Sequence, residues 1–411
     1  MSNAYIYRKL IGEHWFVRNE NPMTFDESDL YLDRKIKSIP DGKSFIFFTD
    51  AHCKGCNAMN SPAIIGYIRE LSNAKKVIFG GDVLHREDNK YLGAEELLKF
   101  TNVMRSVAGQ DYLYVFGNHD LNSANAPLDD VNTYRIEYQV LEKILFDRSG
   151  DRVTEDISEK IKYLDCTDEE RKEILAFSRL HYYVDDDASK VRYIILETGN
   201  QKENGRNGCI SNYFDVYNNS DLVMQYDWLY DTLLSTPEDY DVVVSGHAML
   251  GYGGCKDILP GPLGVCKIIS GFKTCSKVSV ENPFPYYDNL AKYYAKGEHI
   301  YDFTSRKAKT NVVVIAGDVH SDAQTKAYYD ENGNFVSGTY QGEALPDTAV
   351  VVNTVLTDAY VCSKNYHNAG NPEMIKGTNT EQAIEVVTIC PDGNIKFTRI
   401  GAGENREVRY K

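Results

Sequence analysis

Five short apolar runs along the chain each stop abruptly at a polar cluster. Phe45–Thr49 runs into DAHC, Val77–Phe79 into GGDVLHRE, Tyr112–Phe116 into GNHD, Val242–Ser245 into GHAML, and Val312–Ala316 into GDVHSD. Runs this short and this rich in Val, Ile and Phe predict buried strands rather than helices. Helical periodicity fills Ala63–Leu71 and Ala94–Val107, between the first three runs. The resulting strand–loop–helix–strand order predicts a largely parallel layer, in which loops at the strand C-termini form the ligand crevice. All five polar clusters fall at that position.

Two stretches read as decorations. Residues 121 to about 178 carry charge-rich helical patterns, Tyr134–Phe146 and Ser158–Ser178, ahead of a strand-like Val191–Leu196. Residues 251 to about 310 are rich in Gly, Pro, Tyr and Cys with weak periodicity, which predicts a long irregular segment at the rim of the site. The tail alternates in strand fashion at Thr348–Thr354, Ala383–Ile389 and Ile395–Ile400, as a second sheet would. The expected organisation is an N-terminal extension, residues 1–43, and one decorated domain, residues 44–411, with insertions at about 121–178 and 251–310.

Charge narrows the classes of partner. The formal net charge is −15 with a pI near 5.1. An acidic surface repels phosphate backbones, so general nucleic-acid binding is disfavoured, although divalent cations can make one cleft locally positive. No charged segment leads into an apolar one at the N-terminus and no stretch is apolar enough to span a bilayer, so a cytoplasmic protein is expected. Nine cysteines, an odd number scattered over the chain, fit reduced thiols; Cys53 and Cys56 form a C-x-x-C with no second pair, read as two ordinary loop thiols.

The strand-end clusters concentrate metal-binding chemistry. Asp50 and His52 form a D-x-H, Asp82 follows two glycines, Asn118 and His119 sit in GNHD, His247 follows Gly246, and Asp318 and His320 lie in GDVH. Five of the nine histidines (His52, His85, His119, His247, His320) are in these loops. Imidazole, carboxylate and one amide oxygen are the ligand set of a divalent ion such as Mn²⁺, Fe²⁺ or Zn²⁺. A lone cluster of this kind is ordinarily a hydrogen-bonded core or surface histidine. Five in order, each closing a strand, point to a metal site.

The ordered series resembles the calcineurin-like metallophosphoesterases, whose pattern is D-x-H, G-D-x-x, G-N-H-[DE], G-H and G-H-x-H. It is matched at Asp50–His52, Gly81–Asp82, Gly117–Asp120, Gly246–His247 and Gly317–His320, across roughly residues 44 to 355. The ending TRIGAGENREVRY resembles those of bacterial and phage-related members. The resemblance implies a four-layer α/β/β/α sandwich of two mixed sheets with flanking helices. It implies two divalent metals (Mn, Fe, Zn or Mg), one held by Asp50, His52 and His320 and the other by Asn118, His247 and Asp318, with Asp82 bridging. His119 becomes the catalytic histidine, and Arg86, Asn118 and His119 meet the substrate phosphate. Two positions depart from the pattern. Asp318 stands where histidine is usual, which favours harder ions, Mn²⁺ first. His85 stands where some branches place the aspartate that orients the catalytic histidine.

The implied reaction is hydrolysis of a phosphomonoester or phosphodiester by a hydroxide bridging two metals, as a phosphatase or phosphodiesterase. A small soluble phosphoester or nucleotide is the favoured substrate, with no nucleic-acid or membrane partner and no reading of the oligomeric state. A nuclease or protein phosphatase of the same family, a non-catalytic metal-binding scaffold and a mononuclear metal enzyme are the rivals. Trp228 lies at helical spacing with Leu229, Leu233 and Leu234 and reads as core, and His14, His181, His299 and His367 read as structural.

Overall fold

The computed structural model describes residues 25–53, 61–85, 87–123, 131–146, 151–158, 167–198, 225–250, 258, 260–281, 298–358, 371–375 and 378–411. In chain order the strands begin with β1 (Lys43–Phe48), β2 (Val77–Phe79), β3 (Tyr112–Tyr114), β4 (Val153–Thr154), β5 (Tyr182–Asp186), β6 (Val191–Ile195) and β7 (Asp241–Ser245). Then follow β8 (Lys277–Glu281), β9 (Glu298–Asp302), β10 (Val312–Ala316), β11 (Ala323–Tyr329), β12 (Phe335–Thr339) and β13 (Val350–Thr354). The chain closes with β14 (Ala383–Ile389), β15 (Ile395–Gly401) and β16 (Arg406–Val408).

These strands form two large mixed sheets. One has six strands in the order β16-β15-β14-β1-β2-β3, and the other eight in the order β12-β11-β13-β10-β7-β6-β5-β4. β1, β2 and β3 pair in parallel, as do β6, β7, β10 and β13, so the strand–helix order of the sequence yields a parallel centre in each sheet. The remaining pair, β8 and β9, is a separate antiparallel ribbon.

Alternation along the eight-stranded sheet separates its faces. Tyr193, Ile195, Val243, Val313, Ile315 and Val351 join a core shared with Phe45, Phe47 and Val386 of the other sheet. The intervening Ile194, Val242, Val244, Val312, Val314, Val350 and Val352 pack with the helices Gln225–Leu234 and Pro260–Thr274. Phe45 and Tyr193 meet edge-to-face across the sheet interface, with centroids 5.8 Å apart. The helices Ser61–Leu71 and Lys90–Ala108 cover the six-stranded sheet, completing a four-layer α/β/β/α sandwich.

Three local expectations need correction. The tail strands do not make a sheet of their own: β13 lies beside β10 in the eight-stranded sheet, whereas β14 and β15 extend the six-stranded one, with β14 antiparallel to β1. Alternation alone fixes which face is buried and carries no information on the neighbouring strand. The segment 251–310 is not irregular where it is described, because Pro260–Thr274 is a helix burying Val265, Cys266, Ile268, Ile269 and Phe272. Its three internal glycines weaken helix propensity and mask that stripe in the sequence. The helical pattern at 134–146 is interrupted, giving Val131–Tyr134 and Tyr138–Phe146. Trp228 is core as expected, packed against the buried His181. Cys53 is buried; Cys56, His14 and His367 lie outside the described residues. No helix among the described residues is long and apolar enough to cross a membrane.

Candidate metal centre

Strand pairing carries on past the strand ends and brings the five loops into register. Asp50 N–H donates to Gly81 O (2.9 Å), His52 N–H to Asp82 O (3.0 Å) and Cys53 N–H to Val83 O (2.7 Å). Across the other sheet, Gly317 N–H donates to His247 O (2.9 Å). The loops crowd so closely that a Cβ on Gly317 would lie 2.6 Å from Asp50 Oδ2, and one on Gly81, whose φ is +99°, 2.7 Å from His247 Nδ1. Glycine is the residue such an approach requires.

Seven of the side chains singled out in the sequence converge there: Asp50, His52, Asp82, Asn118, His247, Asp318 and His320 are all buried. His52 Nε2 lies 3.1 Å from His320 Nε2, and His320 Nε2 lies 3.2 Å from Asp50 Oδ1. On the other side, His247 Nε2 is 3.0 Å from Asn118 Oδ1, 3.3 Å from Asp82 Oδ2, 3.7 Å from Asp318 Oδ1 and 4.0 Å from Asp50 Oδ1. Asp82 Oδ2 stands between the two groups, 3.8 Å from His52 Nε2. Arg86 lies outside the described residues.

Tautomers follow from the outer hydrogen bonds. His52 Nδ1 meets Leu84 O at 2.8 Å and His247 Nδ1 meets Gly80 O at 2.6 Å. A carbonyl only accepts, so each Nδ1 carries a proton and each Nε2 points into the cluster. Burial, then the nearby His119, pushes His52 down to about 3, so it is neutral. Its lone pair faces the Nε2 atom of His320. Burial opposes charge on His247 too, but Asp82, Asp50 and Asp318 outweigh it and hold its pKa well above the usual value. Burial pushes Asp318 up to about 7. Asp50 Oδ1 is buried without a well-aligned hydrogen-bond donor. Three carboxylates and inward lone pairs repel one another unless protons or cations sit among them. This donor set suits divalent cations.

The backbone is strained at the same residues. Asp50, His52, Asp82, Asp318 and His320 have φ of +55°, +39°, +63°, +67° and +54°, and they are five of the eight non-glycine residues with positive φ among those described. Each such residue costs about 1–2 kcal/mol. Strain of this kind gathers where function constrains the chain.

His119 sits at the rim, half-buried, its ring centroid 4.9 Å from that of His52. Its Nδ1 meets the carbonyl of His85 at 2.8 Å, and the two rings stack at 6.0 Å. The partner of His119 absent from the sequence pattern is therefore the main chain of His85. Asp120 was also missed as a fastener. Its carboxylate accepts from the N–H groups of Asp82 (3.2 Å), Val83 (2.9 Å) and Gly117 (2.9 Å), tying two loops together. Its place in GNHD was the only available signal.

No family model and no curated protein matches the chain. Among solved structures it is similar to a dimetal phosphatase from Danio rerio, at 12% identity and TM-score 0.41 over 90% of this chain and 100% of that one. It is also similar to a purple acid phosphatase from yellow lupin (Lupinus luteus) seeds, at 12% identity and TM-score 0.40 over 91% of this chain and 55% of that one. Likeness at this level says nothing of substrate or chemistry.

Proposed function

We propose that the protein is a metal-dependent phosphoester hydrolase. The reading rests on one observation: seven donor side chains from five strand ends meet in a buried cluster, where the Nε2 atoms of His247 and His320 face carboxylates and titratable imidazoles offset the carboxylate charge. In it, Asp50, His52 and His320 would hold one divalent ion and Asn118, His247 and Asp318 a second, with Asp82 serving both and Mn²⁺ favoured. Such a pair supplies phosphate charge neutralisation and a water activated for in-line attack.

The remaining work falls to the chain. His119 has Nδ1–H fixed on a carbonyl, which leaves Nε2 on the opposite side of the ring to pass a proton to the departing oxygen. Arg86, Asn118 and His119 contact the phosphate. No Ser or Cys nucleophile is needed. A small soluble phosphoester or nucleotide fits the acidic chain best.

The test is hydrolysis of a chromogenic monoester and a chromogenic diester by chelator-treated protein, with Mn²⁺, Zn²⁺, Fe²⁺ or Mg²⁺ restored. Expected is metal-restored turnover that falls at least about 10³-fold in Asp82→Asn. Turnover indifferent to chelation would overturn the reading. So would two bound ions with no hydrolysis of either ester.

A further inference from the structure

Asn122 is wholly buried three residues beyond His119, with a left-handed φ of +60°. Its Oδ1 accepts from Glu87 N–H at 2.5 Å, and its Nδ2 donates to the carbonyls of Asn89 and Tyr134, each at 3.1 Å, with a longer approach to Glu87 O at 3.4 Å. Its own N–H donates to His119 O at 2.8 Å. Asn89 in turn caps the helix Lys90–Ala108, its Oδ1 accepting from Tyr91 N–H and Leu92 N–H. The helix comes in so close that a Cβ on Gly93 would sit 2.7 Å from Asn122 Cγ.

One side chain thus joins the His119 turn, the main chain at residues 87–89 and the first turn of a long helix. The anchored segment begins at Glu87, two residues along the chain from His85, whose carbonyl holds His119 Nδ1–H. An asparagine is required for this, because the site needs one acceptor and two donors from a planar group on a left-handed backbone.

We infer that Asn122 is the positioning residue for His119, fixing the His85 carbonyl and through it the ring's tautomer and direction. This does the task of a direct carboxylate–histidine contact by way of the main chain. The inference rests on the proposed role of His119. The step served moves one proton from His119 Nε2 to the leaving oxygen as its bond to phosphorus breaks, and the ring returns to the neutral form with Nδ1–H on His85 O.

The experiment compares full-length wild type with Asn122→Gly, which removes the side chain while tolerating the positive φ. Two probes are used, dinitrophenyl phosphate, whose leaving group needs no proton, and ethyl phosphate, whose leaving group does. Asn122→Gly is expected to lower kcat/KM for ethyl phosphate at least about 10-fold more than for dinitrophenyl phosphate. The ratio is internal to each preparation, so a partly unfolded sample does not alter it. Asn122→Asp keeps the bond to Glu87 N–H and is expected to shift the ratio the same way by less. An equal loss on both substrates overturns the inference.

A second readout needs no turnover. The imidazole nitrogen NMR spectrum of the Zn²⁺-loaded chain, with the His119 signal assigned by its absence in His119→Gln, is expected to show the Nδ1–H tautomer. Mixed tautomers are expected in Asn122→Gly and Asn122→Asp. An unchanged Nδ1–H tautomer in the variants overturns the inference. If wild type hydrolyses neither ester, the proposed function fails and this spectrum alone decides the role of Asn122.

Discussion

Two polar clusters, one buried and one partly buried, share the loop after β10. One takes Asp318 and His320 from it, the other Asp322. In the second, Arg399 donates to Glu385 Oε1 (2.6 Å) and Asp322 Oδ1 (2.5 Å), and Arg406 to Glu385 Oε1 (2.9 Å). Two guanidiniums face two carboxylates, so charge cancels within the protein, and none of the four has a positive φ. The first cluster has three carboxylates, inward-turned imidazoles and a left-handed backbone at five residues. A self-neutralised cluster on relaxed backbone fastens the fold. A cluster whose carboxylates are offset by titratable imidazoles, on strained backbone, is suited to exchange those protons for cations.

The largest expected effect is at Arg399. Arg399→Met leaves Glu385 and Asp322 short of a counter-charge in the interior and is expected to cost about 3–5 kcal/mol in denaturant unfolding of metal-free protein. The double variant Arg399→Met/Glu385→Leu should recover most of that loss. A single-variant cost below about 1 kcal/mol would mean that the network does not fasten the fold.

The strained cluster should answer to metal instead. Adding Mn²⁺ to chelator-treated protein at about 100 times its Kd is expected to stabilise the fold by about 2.7 kcal/mol, seen as a higher Tm. Without metal, neighbouring carboxylates hold His247 and His320 above the usual imidazole pKa, and burial holds Asp318 at about 7. Binding at neutral pH therefore releases protons, and affinity weakens as pH falls. A weakly buffered titration that shows no acidification would contradict this.

A pH-dependent effect belongs to a third buried charge, Lys273, whose ammonium donates to Ala349 O (2.6 Å) and lies over the Tyr410 ring. Burial pushes it down to about 7 from 10.5. Between about pH 7 and 10.5 the unfolded chain binds the extra proton, so stability rises with pH there and is lost as pH falls through 7. Lys273→Met should raise Tm at about pH 6 and show a shrinking advantage toward about pH 10. A constant Tm difference across that range would assign the effect to packing alone.

Much of this arrangement was legible in the sequence for a physical reason. Buried parallel strands read as unbroken Val and Ile runs, and ligands placed by strand ends must follow them, so Asp50, His52, Asp82, Asn118, His247, Asp318 and His320 were located from residue type and position. What stayed hidden runs through the main chain. The His85 carbonyl that meets His119 has no residue signature, since every residue carries one. Neighbours in a sheet are equally silent, which is why β13 and β14 were assigned together and lie in different sheets.

The pairing of β1 with β14 sets an order of events. Lys43 lies opposite Ile389, so the strand leading into Asp50 and His52 is flanked by residues synthesised more than three hundred positions later. A nascent chain that has just extended past His320 carries every proposed ligand, yet β1 still has an open edge and the loop beyond it lacks its frame. Closing contacts that distant in sequence is slow. Capture of the proposed metals would thus come late, after synthesis, and during synthesis the exposed edge of β1 is the segment most in need of protection from other chains.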